Sequence, residues 1–156
     1  MIKLIWVINM FDRIQSDYIA AFKAKETIKK DVLGLLKGAI LNAKIDKKED
    51  LTDEEIINLV EKQIKLRKDS KEEYIKAGKQ DVVDQLDQEI SVLMEYMPEQ
   101  LSEEEINKII DEAFSKVNPT SQKEMGLIMK EVTPKLKGKA DMKEVSNIIK
   151  DKLSNL

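Results

Sequence analysis

Apolar residues recur along this chain at intervals of three and four, the spacing that gathers side chains on one side of an α-helix. Phe11, Ile14, Tyr18 and Phe22 mark a first helix. Ile28, Val32, Leu35, Leu36, Ala39, Ile40 and Ala43 mark a second, over roughly 26–44. After Thr52, Ile56, Leu59, Val60 and Ile64 begin a third that runs to about Ala77, where Gly78 offers a left-handed stop. Val83, Leu86, Ile90, Leu93 and Met97 define a fourth over roughly 80–96, and Pro98 prevents its continuation. Three shorter helices follow, at about 103–117, 122–132 and 142–154. The turn Asn118-Pro119-Thr120 separates the first two, and a polar loop from Thr133 to Ala140, with Pro134 and Gly138, separates the last two. No alternating strand pattern and no repeat is present. The expectation is an all-α protein with an N-terminal four-helix lobe, residues 10–98, and a smaller C-terminal three-helix lobe, residues 99–156, preceded by an extension, residues 1–9.

Helix starts carry their own punctuation. A capping residue followed three positions later by an acid occurs at Thr52/Glu55, Ser102/Glu105, Ser121/Glu124 and, more loosely, Asp141/Glu144. There the first side chain accepts from an orphan backbone N–H, and the Glu reaches back to the cap's own N–H. Ser70/Glu73 has the same form inside a periodic run, so the pattern alone does not prove a helix start.

Composition narrows the chemistry. Of 156 residues 37% are charged and 4% aromatic, and there is neither His nor Cys. Imidazole acid–base catalysis, Ser-His-Asp and Cys-His nucleophiles, Cys/His zinc sites and disulfides are therefore excluded. Lys, Asp, Glu, Ser, Thr and Tyr remain, which points to a binding module rather than to an enzyme acting on its own. The net charge of −3 comes from 27 basic and 30 acidic residues. Only Arg13 and Arg67 are arginines, so anion recognition relies on lysine point charges rather than on bidentate forks. The run Leu4 to Ile8 is too short for a transmembrane helix, which needs about 20 apolar residues, and for a signal peptide. The bland reading of residues 1–9 is a tail that packs on the body or stays disordered; the alternative is an upstream extension with Met10 as the natural start. The cytoplasm is the expected location, with no membrane partner.

Four features are candidates for chemistry. The acidic runs Asp53-Glu54-Glu55 and Glu103-Glu104-Glu105 sit where a helix dipole stabilises negative charge, so no metal site is expected of them. Gly34 and Gly38 make a small-residue face that lets another helix approach, or else a backbone-lined cleft. Arg67 and Lys68 interrupt the apolar stripe of the third helix. Arg67 either covers the lobe and pairs with an acid such as Asp69 or Glu72, or holds an anion together with Lys68. Finally, between Val132 and Ala140 there are three lysines and no acid, and Lys130 stands just before them. Gly138 allows close backbone approach and a helix start follows, a combination suited to phosphate, although Asp141 at the cap competes with it. No aromatic lies in this loop for base stacking, so a nucleic acid would be held by its backbone through Lys130, Lys135, Lys137, Gly138 and Lys139.

Two stretches carry a resemblance. Arg67-Lys68-Asp69-Ser70, Glu73-Tyr74-x-Lys76-Ala77-Gly78-Lys79-Gln80-Asp81, then Glu89, Leu93, Tyr96, Met97-Pro98 and Gln100-Leu101-Ser102-Glu103-Glu104-Glu105, resemble the YqeY-like proteins. Gly126-x-x-Met129, with Gly138-Lys139-Ala140-Asp141 and Val145, is similar to the tail domain of the B subunit of the glutamyl/aspartyl-tRNA amidotransferase. Both are branches of the GatB/YqeY family, and the resemblance spans about residue 10 to the C-terminus. Met142 departs from it, standing where many relatives have a smaller or turn-forming residue.

The resemblance implies a stand-alone version of a domain that helps hold tRNA while other parts of a larger enzyme react. The label of carbon–nitrogen ligase activity with glutamine as amido-N-donor would be inherited from that enzyme and not catalysed by this chain alone. No cofactor is implied. The reading is a tRNA-associated binding module, with Gly126 and Gly138 shaping the surface. The alternative is a helical adaptor for a protein partner, with no nucleic acid. An independent enzyme would have to use Ser and Lys without a recognisable nucleophile motif.

Overall fold

The computed structural model describes residues 9–156, which form two compact units, one ending at Met97 and the other running from Pro98 to Leu156. The described residues contain helices and no strand, only one isolated bridge between Lys137 and Ala140. The expected N-terminal extension lies outside the described residues except for Asn9, whose side chain caps the first helix by accepting from the Asp12 N–H at 2.8 Å.

The N-terminal unit holds α1 (Met10–Lys23), α2 (Thr27–Lys47), α3 (Asp53–Lys76) and α4 (Gln80–Met94). α3 and α4 form one antiparallel pair, α1 and α2 another, and α2 also touches both α3 and α4. Most of the periodic residues meet in the interior, but Phe22 and Leu35, expected on the apolar faces, are exposed, and Leu33 is buried instead. Ile14, Val32, Leu33, Leu36, Ile40, Ile56, Val60, Ile64, Leu93 and Tyr96 form one buried cluster. Each fully buried aliphatic side chain contributes about 1.5–3 kcal/mol. Thr52 and Glu55 form the expected reciprocal cap, at 3.2 Å in both directions. Gly78, at φ 71°, makes the left-handed turn after α3. Ser70 and Glu73 lie inside α3, so that match to the capping pattern marks no helix start.

In α2, a Cβ at Gly34 would stand 3.4 Å from the Tyr18 ring, an ordinary packing contact, and one at Gly38 would meet nothing within 4 Å, so at neither position does a close helix approach demand glycine. Beyond Gly38, Leu41 and Ile45 are exposed on the side of α2 opposite the core.

The C-terminal unit holds α5 (Glu103–Val117), a single 3-10 turn at Gln122–Glu124, α6 (Met125–Leu136) and α7 (Met142–Ser154). Its core gathers Ile110, Ala113, Ile128, Val132, Leu136, Ala140, Val145, Ile149 and Leu153, with Met142 packed against it. Ser102 and Glu105 form the second reciprocal cap. Glu124 accepts from the backbone N–H of both Thr120 and Ser121 and so closes the 3-10 turn.

One expectation is corrected here. The sixth helix does not end near residue 132 in a polar loop; it continues through Pro134 to Leu136. A proline inside a helix removes one backbone bond and ordinarily costs about 3 kcal/mol. Pro134 sits on the exposed face of the last turn, where the carbonyl it leaves without a partner can face water. Ile128, Val132 and Leu136, spaced by four, are all fully buried, and that stripe carries the helix past the proline. Among the described residues no helix is long and apolar enough to cross a membrane.

Candidate nucleic-acid interface

The segment that follows α6 is more ordered than an interhelical loop. After Leu136 the chain leaves the helix at Lys137, passes through Gly138 at φ 79° and enters α7 at its cap Asp141. That left-handed backbone is the reason for glycine at 138, since a Cβ there would meet nothing within 4 Å. The turn is closed internally: the N–H groups of Lys139 and Ala140 both donate to the Leu136 carbonyl, at 2.9 and 3.0 Å.

It is also held from outside. The Leu101 N–H donates to the Lys139 carbonyl at 2.9 Å. The Gln100 amide donates to the Gly138 carbonyl at 2.9 Å and to the Pro98 carbonyl at 2.8 Å. The result is an alternation in which Leu136, Gly138 and Ala140 are buried while Lys137 and Lys139 are exposed.

The five residues expected to hold nucleic acid are therefore not equivalent. Lys137, Gly138 and Lys139 share one pinned turn, and Lys135 stands on the last turn of α6 beside it. Lys130 is exposed but lies five residues earlier on α6, about 140° round the helix from Lys135, so it flanks this group rather than joining it. None of these four lysines has an ion-pair partner among the described residues. Nearby pairs involve other lysines, Lys116 with Glu131 at 3.0 Å and Lys152 with Asp111. Asp141 is engaged at the α7 cap, where it accepts from the Lys143 N–H at 3.0 Å. Gly126 is exposed in the first turn of α6, and nothing there requires glycine.

Arg67 and Lys68 belong to the other unit, and Arg67 is committed. Its guanidinium donates to Glu89 of α4 at 3.0 Å and to the side-chain and backbone oxygens of Gln63 at 2.8 and 3.1 Å. The two charged side chains are 11% and 17% exposed. The partner is thus Glu89 across the helix pair, rather than Asp69 or Glu72 on the same helix. Arg67 locks α3 to α4 and leaves no free fork for an anion. Lys68 is exposed on α3.

Two groups escaped the sequence reading. The first is Gln100 with Leu101, which fix the lysine-bearing turn; their place in the quoted resemblance is the available signal. The second lies at the end of α4. The Tyr96 hydroxyl donates to Asp17 of α1 at 2.5 Å, and Arg13 stacks 4.6 Å over the Tyr96 ring while donating to the Glu95 carbonyl at 3.1 Å. Burial, reinforced by the bond to Asp17, pushes the Tyr96 phenol well above its ordinary value of 10.0. The partners are 79 residues apart, and no local spacing rule relates them.

No group of His, Cys, Asp and Glu side chains able to hold a metal ion occurs among the described residues. The site offers backbone-fixed cations and no acid–base pair, a chemistry suited to binding an anion.

Comparison with known proteins agrees with this picture at the level of family. A family model described as "Yqey-like protein" matches residues 11–153. The chain is also similar to "Altered inheritance of mitochondria protein 41, mitochondrial" from the fungus Pyrenophora tritici-repentis, with 28% identity over 142 residues that cover 89% of this chain and 78% of the relative.

Proposed function

Because the chain belongs to the YqeY-like family, we propose that it is a tRNA-associated binding module, related to the tail domain of the tRNA-dependent amidotransferase, that holds the phosphate backbone through its C-terminal unit. The observation that carries this reading is the pinned turn at Lys137–Lys139. Its two lysines, with Lys135 adjoining, face outward from a hydrogen-bonded backbone and have no acid to neutralise them. Without aromatic platforms or arginine forks, such a surface recognises charge and shape rather than base identity. Carbon–nitrogen ligase chemistry with glutamine as donor belongs, on this reading, to the larger enzyme, and this chain supplies substrate holding. The reading places the protein with tRNA in a reducing compartment, the cytoplasm being the first choice; the similar fungal protein is by name mitochondrial.

The test is a titration of tRNA at several salt concentrations. The log–log slope is expected to be about −0.7 to −0.9 for each phosphate contact. Lys137→Glu combined with Lys139→Glu should flatten that slope and weaken binding, while Lys68→Glu should leave both largely unchanged. Absence of binding at low salt, or equal loss from Lys68→Glu, would overturn the proposal.

A further inference from the structure

The C-terminal unit has a second concave feature whose character is the reverse of the lysine turn. We infer that the cleft between the first turns of α5 and α7 is a docking site for a basic amphipathic segment of a protein partner. The cleft is an open groove of about 510 Å³. Leu101 and Ile106 line one side and Val145 and Ile148 the other. Val145 is buried, and the remaining three are half-buried members of the same core. The apolar floor is thus continuous with the packed interior and held rigid by it. A larger hollow of about 1330 Å³ runs along α5 from Ser102 to Lys116, but residues of that helix alone line it, so it offers no second wall.

The rim decides the occupant. Glu103 opens α5 and Glu144 lies in the first turn of α7; both are exposed, and neither has an ion-pair partner among the described residues. Two exposed carboxylates make the rim negative at neutral pH. A polyanion is repelled from such a rim, so the cleft differs in charge from the adjoining lysine turn, to which Leu101 is bonded through the Lys139 carbonyl. A helix or strand that presents aliphatic side chains on one face, flanked by Lys or Arg, satisfies both floor and rim.

The test uses a fluorescein-labelled 14-residue peptide with Leu at i, i+4 spacing and Lys at the flanking positions. A peptide of identical composition and scrambled order serves as the control. Anisotropy should report binding to the full chain at low salt, with methyl NMR shifts concentrated on Ile106 and Ile148. Glu103→Lys with Glu144→Lys should weaken peptide binding about tenfold or more while leaving tRNA binding equal or tighter. Should that double variant lose its helical circular dichroism, Asn147→Arg, an exposed rim substitution that blocks the cleft, takes its place with the same expected loss. Equal binding of the scrambled peptide, shifts confined to another face, or undiminished binding by the folded variants would overturn the inference. So would a dimer of the chain alone, in sedimentation, that is abolished by the same substitutions, because the occupant would then be a second copy.

Discussion

In the N-terminal unit, charged side chains tie helices to one another: Arg67 of α3 to Glu89 of α4, Lys71 to Asp87, and Lys47 of α2 to Glu55 of α3. In the C-terminal unit Lys116 ties α5 to Glu131 of α6 and Lys152 ties α7 to Asp111 of α5, but Lys130, Lys135, Lys137 and Lys139 are exposed and, like Glu103 and Glu144, stand without an ion pair among the described residues. Both units bury a similar set of branched aliphatics, so the difference does not arise from the core. It shows that a lysine count says little until each charge is assigned a partner. A chain with a net charge of −3 can still present a cationic turn, because cations elsewhere are spent on internal acids.

The contrast can be broken most forcefully at Leu136, where the pinned turn meets the core. Leu136→Ala should destabilise the C-terminal unit by about 2–5 kcal/mol. Hydrogen exchange would show protection lost across α5 to α7 while the amides of α3 and α4 keep theirs; uniform loss over both units would contradict their independent cores. A smaller effect sharpens the role of charge. Glu89→Gln leaves Arg67 partly buried without its counter-ion and should cost about 2 kcal/mol, whereas Lys116→Ala, at an exposed pair, should cost less than about 0.5 kcal/mol. Equal midpoints for the two variants in urea would show that the α3–α4 pair is no more than a surface contact.

An effect intermediate between these two at neutral pH concerns Tyr96. Tyr96→Phe removes its bond to Asp17 and should cost about 1 kcal/mol. The pH dependence has a definite sign. The phenol's value is raised in the folded protein, so its contribution is complete below the unfolded value of 10.0 and is lost as pH rises through the folded value. Alkaline unfolding of the N-terminal unit should therefore be blunted in the variant, as tyrosine absorbance and helical dichroism followed together would show.

Local rules read a large part of this fold from sequence. The caps at Thr52/Glu55 and Ser102/Glu105 and the stop at Gly78 depend on residues within four positions of each other, and they stand where the spacing puts them. Of the apolar stripes, Ile14, Val32, Leu36, Ile40, Ile56, Val60, Ile64, Val83 and Leu93 are buried, whereas Phe22 and Leu35 are exposed. Reading failed where distant packing outweighed a local preference. Pro134 signals a helix end, but burial of Leu136 holds the helix together beyond it. Arg67 has acids two and five residues away, yet its partner comes from α4, 22 residues on. Spacing brought Lys137 and Lys139 to notice, but the bonds from Gln100 and Leu101 that fix them cross 38 residues. Such bonds are properties of the assembled unit, not of any window of sequence.

The fastening of that turn has a thermodynamic consequence. Immobilising a flexible residue's backbone costs about 1–2 kcal/mol of conformational entropy, and a loop that had to organise itself around a ligand would meet this cost for every residue it ordered. Between Lys137 and Ala140 the backbone is already restrained by its own hydrogen bonds and by Gln100 and Leu101. A partner arriving at this surface would have little more than lysine rotamers to restrict, so even a few exposed cations there can yield a measurable affinity.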